Sequence, residues 1–157
     1  MEDLIEFYLP KDNCMEISKF VYQEKDSWVK GLNNVKSKTS GFDANYKFLH
    51  NIGDHCCNNI LPKVTDHETW NRVSGWVNFY EKGDHTLKHH HLPEHYSMIG
   101  IIKPSKKNCL YFKINDKNFE VDDEEGLCLI FNSKVEHWVE PVDSDRITIS
   151  MDFKYNA

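Results

Sequence analysis

From Val73 onward the chain breaks into short runs rich in Val, Ile, Phe, Tyr and Thr, divided at close intervals by Gly, Asn, Asp and Pro. Such punctuation leaves no room for long helices and favours strands joined by hairpin-length turns. Strands are predicted over 73–80, 95–103, 109–114, 118–121, 127–131, 137–140 and 146–154. Seven or eight short strands of this kind imply a β-sandwich or barrel. The earlier part has a different texture. Asn13-Cys14-Met15-Glu16 has the form of a helix cap followed by glutamate, and Ile17, Phe20, Val21 and Trp28 follow near helical spacing. Tyr46, Leu49, Ile52 and Cys56 predict a second helix ending in the punctuation of 58–62, and Thr65-Asp66-His67-Glu68 predicts the cap of a third, short one. The expected fold class is α+β, mainly β. One domain over 1–157 is expected, with 1–70 as a helical support against one outer face of the sheet and 71–157 as the β core.

Composition narrows the function. Aromatics at 13% and hydrophobics at 39% suit a folded chain, and no apolar run approaches the roughly 20 residues that span a bilayer. The acidic start, Met-Glu-Asp-Leu-Ile-Glu, lacks the basic and apolar regions of a secretory leader, so a cytoplasmic protein is expected. Five cysteines, Cys14, Cys56, Cys57, Cys109 and Cys128, are an odd count without paired spacing and read as free thiols. A net charge of -6 repels polyanions, which disfavours nucleic acid as a partner. The run Lys103-Pro104-Ser105-Lys106-Lys107 reads as a solvated loop.

The chemistry-bearing residues lie in the β half. On a strand, residues two apart share a face, so His89 and His91 are expected on one side of a sheet and His90 on the other. His137, in the strand-like Val135-Glu136-His137-Trp138-Val139, can bring a third imidazole from a distant strand. Three facing imidazoles suit iron(II) with open positions, and equally suit zinc with a water. Arg146, Thr148 and Ser150 share a face of the last strand, where a fixed cation beside hydroxyls makes a carboxylate receptor. Trp76, Asn78 and Tyr80 share a face of the first strand.

Trp76-Val77-Asn78, Gly83, His89-His90-His91, Pro93, Ser97, Gly126 through Phe131, His137, Pro141 and Arg146-Ile147-Thr148-Ile149 together resemble, in order and spacing, the pattern of 2-oxoglutarate- and iron(II)-dependent oxygenases. The likeness covers roughly residues 70 to 154 and is closest to small stand-alone members found in bacteria and tailed phages. It implies a double-stranded β-helix, or jelly roll, and a dioxygenase that uses Fe(II), 2-oxoglutarate and O2 to hydroxylate a substrate, such as a prolyl or other amino-acid residue, with release of succinate and CO2. His89, His91 and His137 match the metal positions. Arg146 matches the residue that pairs with the distal carboxylate of 2-oxoglutarate, with Thr148 where serine usually stands. Asn78 or a nearby Tyr is then a second donor to the co-substrate, and Tyr96 or Ser97 a wall of its pocket.

His91 departs from the pattern, because most of the superfamily has Asp or Glu at the second ligand position. Three-histidine iron also occurs in cupin dioxygenases, whose first motif fits Gly83 and His89-His90-His91, although a Pro-x-Gly turn before His137 is missing. A carboxylate from Glu94 or Asp84 joining the metal is a further variant. The competing classes are therefore a cupin-type dioxygenase, a zinc lyase or hydrolase, and a noncatalytic jelly-roll binding module. The expected partner is a small-molecule or peptide substrate, with no membrane and no nucleic acid; the chain is also compatible with a homodimer.

Overall fold

A computed structural model of the chain describes residues 4–156. The order of elements is β1 (Ile5–Tyr8), α1 (Lys11–Glu24), β2 (Val29–Lys30), β3 (Val35–Lys36), β4 (Lys38–Thr39), α2 (Lys47–His55), α3 (Leu61–Val64), β5 (Trp70–Tyr80), β6 (His85–His89), β7 (Tyr96–Lys103), β8 (Leu110–Ile114), β9 (Lys117–Glu120), β10 (Leu127–Asn132), β11 (Glu136–Val139) and β12 (Arg146–Tyr155). The strands form two antiparallel sheets. The large one runs β1-β10-β7-β12-β5-β4-β2 and the small one β3-β6-β11-β8-β9.

The large sheet is buried on both faces, which is why its central strands are almost continuously apolar. Outward residues Val77, Phe79, Met98, Ile130, Ile149 and Phe153 join α1, α2 and α3 in one core, through Ile17, Val21, Leu49, Ile52 and Leu61. Inward residues Ile99, Ile101, Leu129 and Phe131 meet Leu110, Phe112 and Val139 of the small sheet in a second core. Alternation along β10 divides Cys128 and Ile130 from Leu127, Leu129 and Phe131 in this way. Toward one end of the sandwich the inward positions of β5 and β12 turn polar. Asn78, Arg146, Thr148, Ser150 and Asp152 are all buried there.

The expected mainly-β jelly roll with helices on one outer face is observed, but the first 70 residues are not all helical. Ile5–Tyr8 alternates in burial and pairs with β10, so it covers an edge of the large sheet. The turn-rich stretch before α2 contributes β2, β3 and β4, each two residues long and therefore too short to carry a periodic signal. α1 begins at Lys11 behind Pro10, without a side-chain cap, rather than at Asn13. Past His55 the helix widens into a π turn, Cys56–Ile60, and closes with α3, in which Pro62 stands in the first turn where a missing N–H costs nothing. Thr65 ends this helix, its hydroxyl donating to the Leu61 carbonyl at 2.6 Å, and no third helix starts at it. β6 was hidden by its histidines and lysine.

Candidate metal and co-substrate site

His89 and His137 are cross-strand partners on β6 and β11. His91 lies just beyond β6 rather than on it, held by its backbone N–H on the Ser133 carbonyl at 2.8 Å. The three imidazoles each offer a ring nitrogen within 4.8 Å of the others. Trp76 stacks on His91 with 5.8 Å between ring centroids, and Phe131 packs edge-on to His137 at 4.9 Å. His90 faces solvent.

The polar contacts of the Nδ1 atoms fix what these rings present. Nδ1 of His89 faces the Leu87 carbonyl at 2.6 Å, Nδ1 of His137 faces the Val135 carbonyl at 3.1 Å, and Nδ1 of His91 faces the Asp152 carboxylate at 3.0 Å. Each of these nitrogens meets only an acceptor and must carry the proton, which leaves every Nε2 as a bare lone pair. Nε2 of His91 and Nε2 of His137 point at one another across 3.0 Å. Two lone pairs at that distance repel, and a cation between them turns repulsion into ligation. Protonation is the other remedy, and burial works against it. Burial, reinforced by the neighbouring imidazoles, holds His137 well below the ordinary histidine range, and burial also lowers His89. The donor set thus fits a metal such as zinc or iron.

Beside the histidines a narrow cleft of about 30 Å³ runs inward between Trp76, Asn78, Tyr80, Arg146 and Thr148. Arg146 is fully buried. Its guanidinium is clamped by Asp123, with Nη2 2.9 Å from Oδ1 and Nε 3.1 Å from Oδ2. Burial opposes this charge and the Asp123 carboxylate more than offsets it, so Arg146 stays protonated above its ordinary range. Nη1 is left without a partner, and so is the indole N–H of Trp76. Two buried, orphaned donors lining one cleft are costly unless an acceptor-rich ligand meets them. Asn78 links the cleft's walls, accepting from the Thr39 hydroxyl at 3.1 Å and donating to the Thr148 hydroxyl at 3.2 Å. Tyr80 and Thr86 share a hydroxyl hydrogen bond of 2.7 Å.

Several expectations need correction. Ser97 lines no part of the cleft; it lies behind the histidines, donating to Asp152 at 2.7 Å. Tyr96 packs on Trp70 in the helix-side core. Asp84 pairs with Lys30 at 2.9 Å and Glu94 with Lys154 at 3.5 Å, and neither belongs to the histidine group. Ser105, in the supposedly solvated lysine loop, is buried and donates its N–H to Asp123 at 2.9 Å. Asp123 and Asp152 escaped the sequence reading. Asp152 carried a usable signal, since it continues the even-numbered face of Arg146, Thr148 and Ser150; Asp123 carried none, standing among the loop acids 122–125.

Neither a protein-family model nor a curated relative matches the sequence. Solved structures do match in shape. A Trichoplax adhaerens prolyl hydroxylase, solved with a hypoxia-inducible factor peptide, superposes with a TM-score of 0.78 at 15% identity over 99% of this chain and 84% of its own. The viral collagen prolyl hydroxylase of Paramecium Bursaria Chlorella virus-1, in its 2OG complex, gives 0.76 at 11% identity over 99% and 97%. The chain has the double-stranded β-helix of the 2-oxoglutarate/iron(II) oxygenases. The non-heme α-ketoglutarate-dependent epimerase of nogalamycin biosynthesis shares that fold with it at a TM-score of 0.80 and 11% identity, over 98% of this chain and 78% of its own. In the jelly-roll fold the mouth between the sheets is where the polar residues of β5, β6, β11 and β12 converge here.

Proposed function

We propose that the protein is a 2-oxoglutarate- and Fe(II)-dependent dioxygenase that hydroxylates a small-molecule or peptide substrate and releases succinate and CO2. The observation that carries this reading is the convergence of three imidazole lone pairs beside two orphaned donors, Arg146 Nη1 and Trp76 Nε1. His89, His91 and His137 would hold the iron. Arg146 Nη1 would receive the far carboxylate of the diacid, with Thr148 and Asn78 bordering it. Bound iron and 2-oxoglutarate together supply the activation of O2.

The residues' own work is binding, orientation and exclusion of water. The Leu87, Val135 and Asp152 acceptors keep each imidazole proton on Nδ1, so ligation at Nε2 needs no tautomer exchange. Asp123 holds the guanidinium plane through Nε and Nη2, which leaves Nη1 for the incoming carboxylate. The substrate would take the second, outer chamber of about 220 Å³, which touches His89 and His91 on the other side of Trp76 and is walled by Phe42, Asn33 and Asn34. A cytoplasmic location fits the same reading.

The test is succinate formation from Fe(II) and 2-oxoglutarate under air, followed by NMR. Wild-type protein should form succinate slowly without substrate, and His137→Ala should neither retain iron nor form it. The all-histidine ligand set favours one second reading, a cupin-type dioxygenase. Oxygen consumption that does not depend on 2-oxoglutarate would select it.

A further inference from the structure

Asp152 is a costly residue in its position. It is 7% exposed and lies on β12 between Ser74 of β5 and Ser97 of β7, its partners in register on either side. The Ser97 hydroxyl donates to Oδ1 at 2.7 Å and the Ser74 hydroxyl to Oδ2 at 3.0 Å, and Nδ1 of His91 lies 3.0 Å from Oδ1. Ser97 in turn shares a hydrogen bond of 2.9 Å with the fully buried Ser133. The carboxylate therefore has two hydroxyl donors and one close imidazole, from three different segments, and no partner from Lys or Arg among the described residues. A desolvated charge costs several kcal/mol even when hydrogen-bonded, and an apolar residue would fill the space more cheaply. The arrangement is aimed at one group, the imidazole of His91.

Iron sites with two histidines and one carboxylate owe part of their affinity for a divalent cation to the ligand's negative charge. Here all three candidate ligands are neutral. We propose that Asp152 is a positioning residue that supplies this missing charge from one bond further out, acting on the metal through His91. A carboxylate behind a ligating imidazole raises the basicity of its far nitrogen and fixes the ring, and such partners commonly carry 10- to 100-fold in metal affinity. Trp76, stacked on the same ring, fixes its plane from the other side. This inference rests on the three histidines being metal ligands.

Cobalt(II) serves as the probe, titrated anaerobically and followed by its visible absorption and by calorimetry. Wild-type protein should bind one equivalent; no binding would overturn the ligand reading itself. Asp152→Ala should weaken Co(II) by about 10- to 100-fold. Asp152→Asn keeps an oxygen for His91 Nδ1 and removes only the charge, so a smaller loss is expected, and it carries the test if the alanine variant does not fold. The background His91→Asp separates charge from mere structure. With a carboxylate already at the metal, removing Asp152 should leave Co(II) affinity equal or higher, because two adjacent carboxylates no longer repel. Wild-type affinity in both Asp152 variants, or the same loss in both backgrounds, would overturn the proposal while leaving the three-histidine site intact.

Discussion

Arg146 shows how much one buried side chain depends on another. Its Nε and Nη2 are committed to Asp123, whose own carboxylate is supported by the Ser105 N–H. Removing the guanidinium strands that carboxylate in the interior, and breaking a buried pair from one side costs about 3–5 kcal/mol. Arg146→Ala should therefore lower the urea midpoint severely at unchanged m. The double variant Arg146→Met, Asp123→Asn should recover most of the loss, because no charge is then left unpaired. An equal loss in both variants would contradict the pairing argument. It follows that any role of Arg146 in 2-oxoglutarate affinity is better measured in Arg146→Lys, which keeps a cation against Asp123.

At the level of elements, the turn into β10 is a tight junction. Gly126 has φ +87°, and a Cβ there would lie 2.6 Å from the Leu9 carbonyl oxygen. Its own carbonyl accepts the Leu9 N–H at 2.9 Å, which ties β1 onto the edge of the large sheet. Gly126→Ala should cost about 1–3 kcal/mol from backbone strain alone. Hydrogen exchange at the Leu9 amide should then accelerate before exchange in β7 or β12; unchanged protection at Leu9 would refute the junction's role. These elements also mark where sequence reasoning succeeds. β5, β7, β10 and β12 are long enough for their β-branched and aromatic runs to declare themselves, and His137 sits in a readable strand, whereas its partner His89 ends β6, which was not readable. β2 to β4 could not be read this way, since a two-residue strand exists only through the partner it pairs with, and β1 stands apart from the other strands ahead of α1. Asp123 owes its meaning to Arg146, 23 positions away, and no local pattern encodes that meeting; the strand face of Asp152 was legible, but not its meeting with His91, 61 positions away.

Over the whole molecule, two cores on opposite faces of one sheet leave little reactive surface among the thiols. All five cysteines are free and buried. Burial raises every one of them: Cys14 and Cys57 to about 11, Cys128 to about 12, and Cys56 and Cys109 also upward. A raised value means that the neutral thiol persists at pH 8, while the thiolate is the reacting form. An aromatic disulfide reagent at pH 8 should accordingly find almost no reactive thiol in the native protein and five in denaturant. Fast stoichiometric reaction of the native chain would contradict this. No helix among the described residues is long and apolar enough to cross a membrane.

The inner cleft and the outer chamber share only Val35, Trp76, His89 and His91 as walls. If each compartment takes the guest proposed for it, short diacid mimics and mimics of the substrate would never contest the same seat. Inhibitors of the two kinds would then saturate the protein side by side, and tethering one to the other past the Trp76 indole would gain from both at once.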